Sequence, residues 1–367
     1  MVDRIERVRV TEAAVTAKTT WRFVEISSAA GRVGAGEFTF EPAPAEAADQ
    51  MRALATSLIG SPATRSSLHG LGAMLQAGFA SATFYSALEQ ALTDLDAQAA
   101  GTSIAGLCGA VGQGPVPLYA NINRRTTVRT PESFAQSARL AVAAGFGRVK
   151  LAPFDGLSPE RCGTGEGAAR IAEGLARITA VADAVPNAAV MVDCHWRFTE
   201  EAAHQVLPAL FEARVAWFEC PLPETLAAVP ALSRLRRAAN ERGMRLAGLE
   251  TMVGWAGFAP FVEGEAYDVI MPDIKHCGGH GALIEIAERA GAHGVVTSAH
   301  NPSGPVAHAH SLHATACLSG GEPLEVQFDE TPLFDQLTTP APPPRAGESP
   351  LPEGFGLGLS LKAGEDA

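Results

Sequence analysis

Each of three short apolar runs in the sequence ends in a carboxylate: Asp193, Glu219 and Glu250. The spacing between them is about the length of one strand, one helix and the return to the next strand. An uninterrupted apolar run is typical of a strand buried on both faces, and parallel barrels hold their chemistry at the carboxyl ends of such strands. We therefore predict that the three carboxylates stand side by side at the mouths of successive strands.

Three adjacent ionised carboxylates repel one another, so a site that keeps them together needs a cation between them. Oxygen ligands with room for water and substrate suit Mg²⁺ better than Zn²⁺, which prefers His or Cys. We predict that Asp193, Glu219 and Glu250 bind Mg²⁺. The alternative is that each acid is a solvated loop residue or a helix N-cap, but the repeated strand-end position favours the metal site.

A possible base lies on an earlier strand, the second of the predicted barrel. Arg148 and Lys150 are two residues apart and therefore share a strand face. A lysine that faces a barrel interior must approach the site, and burial beside a metal would lower its pKa into the range of a useful base. The alternative is that Lys150 extends along the rim with its ammonium in water.

Further proton carriers end the third, sixth and seventh predicted strands. Asp273 and His300 end neighbouring strands, so the carboxylate could contact one ring nitrogen, fix the tautomer and stabilise the cation. His195 shares the strand face of Asp193 and could also reach the cavity. A third carrier would help to expel a hydroxyl group from the substrate.

The elements that must position these residues alternate regularly from residue 113 to residue 328. Short apolar strands alternate with amphipathic helices, and eight such units predict a closed α/β barrel of the (β/α)8 type. The strands are predicted near 116–121, 146–152, 188–194, 215–219, 245–250, 267–273, 294–299 and 324–328. The helix after His300 carries three histidines that we interpret as surface or interface residues: His308, His310 and His313.

The segments on either side of the barrel predict a second domain. Residues 5–40 alternate like antiparallel strands, with glycines that permit a tight hairpin, and residues 44–107 show helical spacing. Residues 1–112 are therefore predicted to form an α+β capping domain. The C-terminal segment 329–367 is Pro-rich at first, and residues 355–361 are predicted to return to the cap as a last strand.

Composition limits the partners. The net charge of −12 and the aromatic content of 6% argue against nucleic acid and anionic membranes, although a local metal would still permit a small carboxylate substrate. The six cysteines form no C-x-x-C pair, and no apolar run is long enough to span a membrane, which predicts a cytoplasmic location. We expect a symmetric homo-oligomer.

These motifs together resemble the mandelate racemase subgroup of the enolase superfamily over nearly the whole chain. Residues 31–37 resemble its G-x-x-G-x-G-E hairpin, residues 91–96 its A-L-W-D helix, and residues 271–279 its M-P-D…G-G sixth strand. The resemblance implies that Asp193, Glu219 and Glu250 bind Mg²⁺, that Lys150 is a base, and that Asp273 and His300 form the second acid–base pair. It also implies that Glu325 hydrogen-bonds the substrate carboxylate.

Some residues depart from the subgroup or point to one branch of it. Its K-x-K is here Arg148-x-Lys150, which keeps a positive charge for substrate binding. Two motifs resemble sugar-acid dehydratases of the galactonate type: Asp193-x-His195 and the segment 300–305. The resemblance implies that Asn301 of this segment contacts the substrate. Those enzymes are not expected to carry the second-strand lysine, and the first cap loop, about residues 11–20, is shorter than usual, so the resemblance does not define the substrate.

The predicted chemistry is removal of the proton α to a carboxylate, with dehydration of an acid sugar to a 2-keto-3-deoxy acid as the leading hypothesis. A racemase, epimerase or lactone cycloisomerase that uses Lys150 and His300 for 1,1-proton transfer is the main alternative. A metal-dependent hydrolase is more remote, since residues 119–123 offer no His-x-His pair.

Overall fold

The computed structural model describes residues 2–16, 19–110 and 114–362. The chain begins with an antiparallel sheet in the order β1 (Ile5–Ala14), β2 (Thr20–Ser28) and β3 (Val33–Glu37). Three helices and a 3₁₀ helix follow, as the α+β pattern of the sequence predicted. They are α1 (Ala47–Thr56), the 3₁₀ helix Arg65–Gln76, α2 (Phe79–Ala99) and α3 (Ile104–Leu107).

The glycines of the first hairpin serve two purposes. Gly31 has a φ of +79° and belongs to the turn, as predicted. A Cβ atom at Gly34 or Gly36 would lie 2.0 Å from a backbone carbonyl oxygen of α2. These two glycines therefore allow α2 to approach the sheet closely, which the local sequence did not indicate.

Eight parallel strands form the second sheet, in which the first seven pair in chain order and the eighth pairs with the first. The sheet closes because backbone N–H groups of Glu322 and Glu325 donate to the carbonyl groups of Thr297 and Ala299, at 2.9 and 3.5 Å. The predicted α/β barrel is confirmed. Its strands are β4 (Val116–Asn121), β5 (Arg148–Leu151), β6 (Ala189–Asp193), β7 (Val215–Glu219), β8 (Arg245–Gly248), β9 (Val269–Ile270), β10 (Val296–Thr297) and β11 (Leu324–Gln327).

Helices cover the outside of the barrel, and threonine side chains begin several of them. Thr130, Thr164 and Thr199 each accept a hydrogen bond from the backbone N–H three residues later, as N-cap residues do. In the part of the chain that the structure describes, no helix has the length and apolar character needed to cross a bilayer. The barrel helices are α4 (Pro131–Ala143), α5 (Gly165–Ala184), α6 (Glu200–Glu212), α7 (Val229–Asn240), α8 (Gly254–Glu263), α9 (His280–Gly291) and α10 (Pro305–Thr315).

Helix α10 lies between the barrel and the cap, and every one of its residues is buried. The prediction that its histidines are surface or interface residues is therefore wrong. His310 Nε2 lies 2.8 Å from the Ala35 carbonyl of β3, and His313 Nε2 lies 3.2 Å from the carbonyl of Leu357. The polar character of histidine suggested a solvated helix face. In the structure, backbone carbonyls of the cap and the tail instead accept hydrogen bonds from the buried imidazole rings.

The tail comprises α11 (Leu333–Gln336), β12 (Thr338–Thr339), β13 (Glu348–Ser349) and β14 (Ser360–Leu361). Leu357 and Leu359 pack with Trp21 and Phe23 of the cap, so the chain does return there. The predicted strand over 355–361 is limited to β14, which pairs with β12 of the tail itself. The predicted boundary at residue 112 lies outside the described residues, as do residues 17 and 18 of the first cap loop.

Candidate active site

The carboxyl ends of the barrel strands bring the three predicted metal ligands to one place. Asp193 and Glu219 are register partners on β6 and β7, and with Cys220 they place one ligand atom each within 4.8 Å of one another. Glu250 follows β8 and lines the same cavity as Asp193, with a volume of about 390 Å³. All three acids are buried.

The backbone around these acids is held in an unfavourable conformation. Non-glycine residues with positive φ flank them: His195 (+47°), Trp196 (+57°), Cys220 (+44°) and Leu249 (+75°). Each such residue costs about 1–3 kcal/mol and persists only where the surrounding structure enforces it. The strain accompanies the sharp turns that follow the strands and direct the carboxylates into the barrel mouth.

The acids fit a divalent cation. The Oε2 atoms of Glu219 and Glu250 are buried and have no hydrogen-bond donor in the described part of the chain, although His300 Nε2 lies 3.2 Å from Glu250. Burial raises the pKa of Glu250, and the charge of Asp193 raises it further. A cation would relieve both the repulsion and the missing contacts, because carboxylate oxygens are the preferred ligands of hard divalent ions.

Lys150 is almost fully buried behind the cavity. Its Nζ lies 2.6 Å from Glu219 Oε1 and 3.0 Å from Glu325 Oε1. Burial opposes the ammonium form, but the two carboxylates outweigh it and hold the pKa of Lys150 well above its ordinary value. The predicted lowering of this pKa is wrong for the described arrangement, because the sequence did not show how many carboxylates surround the ammonium.

Asp273 and His300 meet across neighbouring strands. His300 Nδ1 lies 2.9 Å from Asp273 Oδ2, and Lys275 Nζ lies 2.7 Å from the same oxygen. Although burial opposes its charge, Lys275, His276 and His300 hold the pKa of Asp273 below the ordinary value. Because an ionised carboxylate only accepts, the hydrogen lies on Nδ1, and Nε2 of a neutral His300 ring is left as a proton acceptor at the cavity.

His195 also lines the cavity, with its side chain about one third exposed. Its Nε2 lies 2.8 Å from Asp193 Oδ2, and its backbone N–H donates to Asp193 Oδ1 at 2.9 Å. Burial opposes the charge of Asp193, but His195 and Lys150 lower its pKa. The imidazole is thus placed between a candidate metal ligand and the open cavity, where it could transfer a proton to a substrate.

Two predicted substrate contacts have other partners. Glu325 accepts from Asn121 Nδ2 at 2.7 Å, and although burial opposes its charge, Lys150 and His300 lower its pKa to about 2. The resemblance implied that Glu325 hydrogen-bonds the substrate carboxylate. An ionised Glu325 cannot donate such a hydrogen bond. The buried amide of Asn301 donates to the Glu325 carbonyl and to His308 Nδ1, both at 2.8 Å, so the prediction that Asn301 binds substrate is wrong for this arrangement.

Arg148 lies at the other end of the barrel. It begins β5, and its guanidinium pairs with Glu322, which precedes β11. Lys150 shares its strand face, but two residues correspond to about 6.6 Å along a strand. The predicted substrate-binding role of Arg148 is therefore wrong: a shared face does not place two side chains in the same layer of a barrel.

Several cavity residues were missed by the sequence argument. Lys275 and His276 lie two and three residues after Asp273, and the two-residue spacing could have drawn attention to Lys275. No local signal marked the cap residues that cover the mouth. They are Thr19, Thr39, Phe40, Glu41 and Phe79.

Comparison with known proteins agrees with this architecture. The mandelate racemase / muconate lactonizing enzyme N-terminal domain matches residues 3–109, and the enolase C-terminal domain-like family matches residues 133–366. A solved structure of an enolase superfamily member from Salmonella Typhimurium superposes with a TM-score of 0.86, at 22% identity, over 98% of this chain and 97% of that one.

Two characterised relatives are similar in sequence. D-gluconate dehydratase of Thermoproteus tenax is 31% identical over 291 residues, which are 78% of this chain but only 56% of that protein. D-galactarolactone cycloisomerase of Agrobacterium fabrum is 28% identical over 293 residues, 77% of this chain and 72% of that protein. With both domains matched and the carboxylates at the barrel mouth, the chain belongs to the mandelate racemase subgroup of the enolase superfamily, whose members imply a bound divalent metal.

Proposed function

We propose that this protein uses Mg²⁺ to remove the proton α to a carboxylate, and that its reaction is the dehydration of an acid sugar to a 2-keto-3-deoxy acid. The observation that carries the proposal is the buried group of strand-end carboxylates with unpaired oxygens, next to the Asp273–His300 pair. Asp193, Glu219 and Glu250 would hold the ion. When bound, it would supply a positive charge for the substrate carboxylate and so make the α-carbon more acidic.

His300 is the better-placed base of the two candidates. Its Nε2 borders the cavity, and Asp273 stabilises the cation that forms when the ring takes the proton. Lys150 is enclosed by two carboxylates and, unlike His300, does not line the cavity. Its role in this proposal is therefore electrostatic: it favours negative charge that develops on the substrate.

His195 would be the acid for the leaving group. His300 first takes the proton from C2 and leaves the electron pair on the substrate. That pair then forms a C2–C3 double bond while the C3–O bond breaks and His195 donates a proton, which releases water. The resulting enol becomes the 2-keto-3-deoxy acid when C3 takes a proton. The D-gluconate dehydratase relative supports this reaction type, although the chain matches only about half of its length.

A panel of acid sugars with Mg²⁺ tests the proposal. Formation of a 2-keto-3-deoxy acid would support it, and His195→Asn should remove this product while proton exchange at C2 in D₂O continues. If His195→Asn dehydrates acid sugars at the wild-type rate, the role assigned to His195 is wrong.

A 1,1-proton transfer is the second candidate, because the D-galactarolactone cycloisomerase is also similar to this chain. An epimerase or cycloisomerase would exchange the C2 proton in D₂O without losing the hydroxyl group, which proton NMR would show. A cytoplasmic location and a homo-oligomeric state stay predictions from the sequence. Cell fractionation and light scattering of the purified protein would test them.

A further inference from the structure

His276 is a buried histidine of the cavity that the proposed reaction does not use. Its ring packs on Phe79 of α2 at a centroid distance of 4.4 Å, and Nδ1 lies 2.9 Å from Thr83 Oγ1. The Thr83 hydroxyl donates its only hydrogen to the Phe79 carbonyl, at 2.9 Å. With its hydrogen directed to Phe79, Thr83 accepts from His276, and from this arrangement we infer that the hydrogen of a neutral ring lies on Nδ1.

The other ring nitrogen is consequently a free acceptor. Burial lowers the pKa of His276 to about 3, although Asp273 opposes this shift, so the ring is neutral near pH 7. Asp273 Oδ2 lies 3.8 Å from Nε2, beyond hydrogen-bond distance, and cannot donate to it. His276 lines the cavity, and its Nε2 is not fully enclosed by protein. The atom therefore retains access to the cavity.

Two further acceptors of the same cavity also lack donors. Asn123 Oδ1 and Gln327 Oε1 are buried, and neither has a hydrogen-bond partner among the described residues. Arg124 and Lys275 also line the cavity, and each has a carboxylate partner. Arg124 pairs with the two carboxylate oxygens of Glu330 at 3.1 and 3.2 Å, and Lys275 Nζ donates to Asp273 Oδ2 at 2.7 Å. Glu41 adds a negative charge at the rim. Among the described residues, the cavity therefore offers these three acceptors and no lysine or arginine without a carboxylate partner.

We propose that His276 determines specificity by accepting a hydrogen bond from a substrate hydroxyl through Nε2, and that the substrate is a monocarboxylic sugar acid with a neutral polyhydroxy tail. The inference rests on the proposed function, because it concerns the part of the substrate remote from the reacting carbons. Hydroxyl groups supply the hydrogens that the three acceptors lack. A second carboxylate has only lone pairs, and it would face the same acceptors without a cation.

A matched pair of ligands tests this in the full-length protein with Mg²⁺: a six-carbon aldonate and the aldarate of the same stereochemistry. Calorimetric binding to His300→Asn, which lacks the proposed base, measures recognition without turnover. We expect the aldonate to bind at least about tenfold more tightly. Equal or tighter binding of the aldarate would overturn the inference. Failure of the proposed function would instead appear as absence of both C2 proton exchange and dehydration in the wild type.

A substitution that leaves the imidazole in place tests its tautomer. Thr83→Val removes the acceptor of the Nδ1 hydrogen, so the proton should move to Nε2 and turn the acceptor into a donor. We expect about tenfold weaker aldonate binding and a smaller preference over the aldarate. Thr93→Val is the same change at another buried position of α2. It should leave the aldonate affinity and the preference over the aldarate within about twofold of the wild type. Unchanged preference in Thr83→Val would contradict the assignment.

Discussion

The two ends of the barrel both carry inward-facing charges, but they differ in charge balance. At the amino end, Glu322 pairs with Arg148 and with Arg245, the latter at 2.7 Å. Burial opposes the charge of Glu322, yet the arginines lower its pKa. Each charge there has a partner of opposite sign, and the two guanidinium groups, which share one carboxylate, are more than one third exposed to solvent, which is typical of a structural cluster.

At the carboxyl end, acids outnumber cations. Five buried carboxylates face two buried ammonium groups, Lys150 and Lys275, and two carboxylate oxygens have no donor in the described part of the chain. The carboxylates are Asp193, Glu219, Glu250, Asp273 and Glu325. Charged residues inside a barrel are therefore not diagnostic of function by themselves, whereas buried acids in excess, with oxygens that lack donors, indicate a site that binds a cation.

The largest expected effect separates two residues of one strand. Lys150→Met should lower kcat/KM for the best acid sugar about 10³-fold, because it removes the buried cation that favours negative charge on the substrate. Arg148→Met, two residues earlier, should change it less than about threefold. Steady-state kinetics of both variants would measure this, and similar losses would break the distinction between the two ends.

Metal binding should respond to acids at one end only. At about 100 times its dissociation constant, Mg²⁺ should stabilise the fold by about 2.7 kcal/mol and raise the Tm. Glu219→Gln should abolish most of this rise. Glu322→Gln should lower the Tm itself and yet retain the full rise, because it disrupts only the arginine cluster. Thermal unfolding with and without Mg²⁺ gives both values, and a rise that persists in Glu219→Gln would refute the assigned ligand.

A smaller effect should come from a residue that supports the ligands. Glu224 Oε1 accepts from the Leu249 backbone N–H at 2.7 Å, next to Glu250, and from the Tyr267 hydroxyl at 2.8 Å. Glu224→Leu should weaken Mg²⁺ binding about tenfold by calorimetry, because the positive-φ turn before Glu250 loses its anchor. Tyr267→Phe keeps the bond to Leu249 and should have less effect. Unchanged affinity in Glu224→Leu would show that the turn needs no such anchor.

The smallest expected effect concerns a fully satisfied, uncharged group. His313 Nε2–H donates to the Leu357 carbonyl, and Nδ1 accepts from the Ala105 N–H at 3.4 Å. Burial lowers the pKa of His313 to about 4, from about 6.5 in the unfolded chain. The unfolded state therefore binds more protons between these values, and the contribution to stability, complete above pH 6.5, is lost as the pH falls towards 4.

Urea unfolding would measure this contribution. Between pH 7 and pH 5.5 the wild type should lose about 1 kcal/mol more of its free energy of unfolding than His313→Gln, which does not titrate. Equal losses in the two proteins would mean that the His313 ring accepts a proton without disrupting its contacts.

The sequence by itself determined which strand-end residues lie at the barrel mouth. Apolar runs, their lengths and their alternation with helices are local properties, and the direction of a parallel strand then fixes which of its ends carries Asp193, Glu219 or His300. The same local pattern predicted the antiparallel strands and helices that precede the barrel.

Only the tertiary structure decided which side chains meet. It placed Arg148 below Lys150, surrounded Lys150 with carboxylates, buried the histidines of α10 and brought Thr83 of the cap against His276. These contacts join residues distant in the chain, and they depend on strand register, barrel layering and domain packing. No spacing within one segment encodes those quantities, because each is set by the balance of many contacts over the whole fold.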